Sequence, residues 1–246
     1  MNFKYKGESI DFELIRRKRK SLCIKMDLNG NVQVVAPMKL SNQYILNFIY
    51  QKAEWIIAKK KEMKLISNRK IKREFKDGST FMYLGKEYPI HLAFDKETKN
   101  ILVNFIDKNT DINPKNYEGF VIVTNTNDYE KLKKALEKWY RERTLNIIKK
   151  RIIHYESNFK DKITKVTVKE QKRRYASINI KNETFFNWRI SMAPIEVIDY
   201  IVVHEMCHMD FRNHSKDFWT RVEEIMPNYK VYHEYLKRNG INITID

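Results

Sequence analysis

The sequence predicts an α+β protein: a mainly antiparallel β region with one helix, residues 1–126, followed by a region, residues 127–246, built around an HExxH helix. Three observations carry this reading. Short β-branched runs separated by Asn-Gly, Asp-Gly and Leu-Gly pairs fill the first half. A long amphipathic stretch begins near residue 128. Near the C-terminus, Ile195 to Met209 is apolar almost all round, contains no helix breaker, and includes His204, Glu205 and His208.

Taken in order, Ser21 to Pro37 places Leu22, Ile24 and Met26 on one strand face, turns at Asn29 and Gly30, and returns through Val32 and Val34. Ser41 suits a helix N-cap, and Ile45, Phe48, Ile49, Ala53, Ile56 and Ile57 recur at helical spacing up to the lysines at 59 to 61. Asp77-Gly78 and Leu84-Gly85 then punctuate strands at about 79–84, 87–94, 101–106 and 119–124. The polar segment Thr124 to Asp128 is the predicted domain boundary. A helix over about 128–158 buries Leu132, Leu136, Trp139, Tyr140, Ile147, Ile148 and Ile152. Short strands near 164–168, 174–180 and 184–190 and three helices complete the chain, without repeats or low-complexity tracts.

Composition narrows the function classes. At 246 residues, 42% hydrophobic and 13% aromatic, with six Gly and five Pro, the chain is a folded protein and neither fibrous nor disordered. No run approaches the roughly 18 apolar residues of a membrane span. The first twenty residues do not read as a secretion signal, so a cytoplasmic location is expected. Cys23 and Cys207 are read as two small buried hydrophobes rather than a disulfide pair. The net charge of +17 would attract phosphate backbones, but it is built from 34 Lys and only 14 Arg, as an AT-rich genome would produce. Nucleic-acid binding through this basic surface is therefore the alternative and not the leading reading.

The chemistry lies in IVVHEMCHMDFRNHSKDFW, residues 201–219. Two imidazoles at i and i+4 share one helical face and can reach one metal ion. Without partners, buried polar groups there would cost about 1–3 kcal/mol apiece. Glu205 cannot point along the same line, and is placed to approach a water beside the metal as a general base in amide hydrolysis. Zinc is the expected ion, with three protein ligands and an open fourth position. His214 follows His208 by six residues, about 600° on a continuous helix, so the helix must end between them if His214 is to be the third ligand. Asn213, which tolerates the left-handed conformation, is the expected stop, and Ser215 then caps a helix burying Phe218, Trp219, Val222 and Ile225. Glu223 or Glu224 is the rival third ligand. His91, His154 and His233 receive no functional role.

The run Phe186 to Trp219 resembles the YgjP-like metallopeptidases, a family related to the SprT-like zinc proteases. RRKRKSLCIKMDLNGNVQVVAP, QKAEWI and YLGKEY fit the same resemblance. It implies a zincin-like metallopeptidase domain over 127–246, with His204, His208 and His214 as ligands, Glu205 as the catalytic glutamate, and a protein or peptide substrate. The SprT relationship also permits action on proteins bound to DNA or RNA. By the same resemblance, the strand near Phe185 to Arg189 borders the cleft, where a substrate could add as an extra strand. Where the family has Arg-Trp-Gly-Ser-Cys, this chain has Arg174, Tyr175, Ala176, Ser177 and Ile178, a departure that bears on substrate preference and leaves the ligands untouched.

Overall fold

The computed structural model describes residues 1–27, 30–68, 73–108, 117–171 and 174–240, with 62–68 as helix backbone only. Its compact units are Met1–Lys70 and Ile71–Asp246.

In the first unit, β1 (Asn2–Tyr5), β2 (Glu8–Arg17), β3 (Cys23–Met26) and β4 (Val32–Pro37) form a sheet in the order β1-β2-β4-β3, followed by α1 (Asn42–Gln51) and α2 (Ala53–Asn68). Alternation selects the core face: Ile10 and Phe12 of β2 and Val32, Val34 and Ala36 of β4 pack against Ile45, Ile49, Ala53 and Ile56. The predicted β3–β4 pairing is antiparallel, with Ile24 opposite Val34. Gly30 holds φ +81°, whereas its turn partner Asn29 lies outside the described residues. Ser41 caps α1 by accepting from the Tyr44 N–H at 3.3 Å. The single predicted helix is in fact two, divided at Lys52, and it does not stop at the lysines but continues to Asn68.

In the second unit, β5 (Thr80–Tyr83), β6 (Lys86–Phe94), β7 (Leu102–Ile106) and β8 (Gly119–Thr124) form a sheet in the order β5-β6-β8-β7. Against it lies α3 (Tyr129–Tyr155), which leads into β9 (Lys165–Lys169), β10 (Ala176–Ile178) and β11 (Glu183–Asn187). A 3-10 turn, Trp188–Met192, precedes α4 (Ile195–Asp210), α5 (Lys216–Ile225) and α6 (Tyr229–Asn239). The architecture is thus α+β with six helices among the described residues.

Over residues 1–126 the strands are mainly antiparallel, as expected: four of the six pairings there among the described residues are antiparallel, while β2 with β4 and β6 with β8 pair in parallel, as do β9 with β11 further on. The division is corrected: it falls near residue 70 and not at 126/127. Phe81, Ile90, Phe120 and Ile122 of the sheet share one core with Leu132, Leu136 and Trp139 of α3 and with the apolar residues of α4. The Thr124–Asp128 segment is polar because it is a tight connection and not a linker. Its Thr124 hydroxyl accepts from the Thr126 N–H at 3.1 Å, and Asp128 caps α3 through the Lys131 N–H at 3.0 Å.

Candidate metal centre

The helix carrying the motif is placed from its N-terminal end. Leu84 and Gly85, at φ +48° and +82°, form the two-residue turn between β5 and β6. Their N–H groups donate to the Ser191 and Met192 carbonyls at 2.9 and 3.0 Å. That contact fixes the chain just ahead of Pro194, the N-cap of α4. One turn further, Asp199 is clamped by the Arg151 guanidinium of α3 through both carboxylate oxygens. Val197, Ile198, Ile201, Val202, Val203, Met206 and Cys207 are each at most 4% exposed, so α4 is buried nearly all round.

On this helix His204 and His208 stand one turn apart, with ring centroids 5.1 Å apart. The helix ends earlier than expected and by a different device. Asp210 is its last residue and Phe211 leaves in an extended conformation, φ −135°, instead of a left-handed Asn213. The early exit has two effects. The Phe211 carbonyl lies 2.9 Å from His208 Nδ1, which fixes the tautomer and leaves Nε2 as the lone-pair donor. It also turns residues 211–214 back towards the helix, where Arg212 donates to the Asn179 carbonyl and Asn182 Oδ1 at 2.9 and 2.6 Å, tying the loop to the β10–β11 connection. Ser215 then caps α5 by accepting from the Phe218 N–H, as expected.

The loop brings His214 Nε2 to 3.0 Å from His204 Nε2. One ligand atom from each of His204, His208 and His214 lies within 4.8 Å of the others. Fully buried Phe218 forms the floor, stacked on His208 at 4.5 Å. Burial pushes the His204 imidazole down to about 3, with His208, His214 and His233 adding to the shift. His208 is also lowered, first by burial, which favours the neutral form that metal ligation requires. A divalent cation fits this donor set: two Nε2 atoms face each other where one shared ion would satisfy both, and His208 Nε2 is left unpaired for it. His204 Nδ1 is buried without a hydrogen-bond partner among the described residues, so the outer support given to His208 is not repeated there.

Glu205 is 6% exposed and, as the residue after His204, sits about 100° round the helix from it. Burial raises its carboxyl to about 7, opposed by the Arg174 guanidinium. Such a group holds and releases a proton near neutrality.

The rival ligands lie elsewhere. Glu223 pairs with Lys230 and Glu224 with Arg221, each at 3.0 Å, and neither joins the histidine cluster. His91 pairs with Asp77 at 2.9 Å, and His154 is exposed beside Tyr155. His233, given no role above, instead sits in an aromatic frame next to the cluster with Tyr200 and Trp219. Its position between Tyr229 and Leu236 on one helical face was a readable signal that it points inward. The strand assigned to the cleft needs correction too. β11 is central, flanked by β10 and β9, so it has no free edge, and Trp188 and Arg189 belong to the 3-10 turn. The edge strand packed against α4 is β10. Tyr175, just before it, reaches α6, where its hydroxyl lies 3.4 Å from the Leu236 carbonyl.

Among the described residues no helix is long and apolar enough to cross a membrane. The family model described as YgjP-like, metallopeptidase domain, matches residues 20–239. No curated protein matches the chain.

Proposed function

The chain belongs to the YgjP-like family, a metallopeptidase family, and on that premise we propose that it is a zinc-dependent peptidase of zincin-like fold whose ligands are His204, His208 and His214. The observation that carries this reading is the convergence of the three imidazoles from a helix and the loop that follows it, beside a buried carboxyl. Zinc held there would supply Lewis acidity towards a peptide carbonyl oxygen and acidify a water molecule. Glu205 is the general base. Its carboxylate takes the proton of the water that attacks the carbonyl carbon, then passes it to the departing amine nitrogen as the C–N bond breaks. The pKa near 7 that burial gives Glu205 suits both transfers. A substrate strand would lie along the edge of β10 that is unpaired among the described residues, where backbone hydrogen bonds would align the scissile bond with the site.

The nucleic-acid reading rests on the net charge and the SprT resemblance, and the family match, to a metallopeptidase domain, lends it no support. The metal assignment is tested by zinc analysis of purified protein. We expect about one zinc per chain, lost in His204→Ala and in His208→Ala. Full zinc content in both variants would rule the assignment out.

A further inference from the structure

His233 stands apart from the other histidines outside the metal cluster. On α6 it lies four residues after Tyr229 and three before Leu236, both buried, so it shares their inward face. Its ring is held between two aromatic neighbours at nearly parallel angles: Tyr200 at 6.0 Å and 26°, and Trp219 at 5.8 Å and 13°. Those same two rings wall the metal cluster. Tyr200 meets His204 edge-on at 5.9 Å, and Trp219 stacks on His214 at 5.7 Å. Tyr229 closes the frame, stacked on Tyr200 at 6.3 Å and on Trp219 at 5.5 Å.

An imidazole donates in the plane of its ring, so rings packed nearly parallel to His233 do not compete for its N–H. Neither nitrogen hydrogen-bonds to another described residue, and the side chain is half-buried rather than sealed in the core. An imidazole carries at least one N–H in either protonation state, so its capacity to donate does not depend on titration. A preoriented donor one ring away from the metal ligands on two sides matches what a bound peptide presents, a row of carbonyl acceptors.

We propose that His233 is a substrate-binding residue of the peptidase site, donating a hydrogen bond from its imidazole to a carbonyl oxygen of the bound peptide. This inference rests on the peptidase reading above. Two substitutions separate a donor from a packing role: His233→Phe keeps a flat ring in the stack but removes the N–H, whereas His233→Gln keeps a donor and loses the ring. Each full-length, zinc-loaded variant is assayed with a quenched fluorescent peptide library of randomised sequence, alongside zinc content and thermal midpoint. For His233→Phe we expect unchanged zinc and midpoint with kcat/KM lowered about tenfold, the worth of one hydrogen bond. His233→Gln is expected to be less stable yet more active than His233→Phe. Wild-type activity in His233→Phe, or losses that follow zinc content or midpoint in both variants, would overturn the inference while leaving the peptidase reading intact. A wild-type protein as inert as Glu205→Gln would overturn the peptidase reading, and this inference with it.

Discussion

Replacing Gly85 by alanine tests how the motif helix is positioned. Gly85 has φ +82°, a conformation that costs an L-residue about 1 kcal/mol. A Cβ there would lie 2.7 Å from Pro194 Cγ and 3.0 Å from Pro194 Cα. The neighbour cannot swing aside, because Pro194 is the rigid N-cap of α4 and the chain before it is bonded to the same turn. Forcing the extra atom into this contact adds an overpacking cost of about 1–3 kcal/mol. The total for Gly85→Ala is therefore about 2–4 kcal/mol. Gly78 supplies the control: it has the same φ of +82°, but a Cβ there would meet nothing within 4 Å. Gly78→Ala should cost only the conformational share, about 1 kcal/mol. Urea unfolding of both metal-free variants, followed by tryptophan fluorescence, reads the two midpoints. Equal shifts would mean that the turn does not bear on the start of α4, and the positioning argument would fail.

Two further outcomes follow from the same structure. Arg212 holds the loop that delivers His214, so Arg212→Ala should weaken zinc binding about tenfold in a chelator competition, and unchanged affinity would show that the loop holds itself. Partial burial pushes the Glu170 carboxyl up, but hydrogen bonds from Arg189 and the Trp188 indole outweigh it and leave the group below its ordinary 4.5. A folded-state pKa below the unfolded one stabilises the protein above that ordinary value, and the contribution is lost as pH falls through the lower folded value. Glu170→Gln should therefore flatten the acid limb of the stability profile below pH 4.5, and a profile parallel to wild type would contradict the assignment.

Much of the site was legible because its signals are local. The i, i+4 histidines, the unbroken apolar run and the serine caps at Ser41 and Ser215 each act within a few residues, and each forms as read. Non-local pairing was not legible in that way. Periodicity in β2, through Ile10 and Phe12, reports which face is buried but not that the strand joins β4 in parallel. The boundary near 126 failed for a related reason: a polar connection looks the same whether it links two cores or turns within one, and what distinguishes them is packing across it, such as Phe120 against Trp139. The helix stop was misplaced because an extended Phe211, secured when its neighbour Arg212 bonds Asn179 and Asn182 of the β10–β11 connection, has no local marker comparable to a left-handed Asn.

The central claim is that Glu205 moves the proton while the histidines hold the metal. Its most direct test is a comparison of cleavage products from one protein mixture treated with zinc-loaded wild type and with Glu205→Gln, with the zinc content of each measured in parallel. We expect equal zinc and loss of essentially all new peptide termini in the variant. Undiminished cleavage by Glu205→Gln at full zinc occupancy would contradict the account.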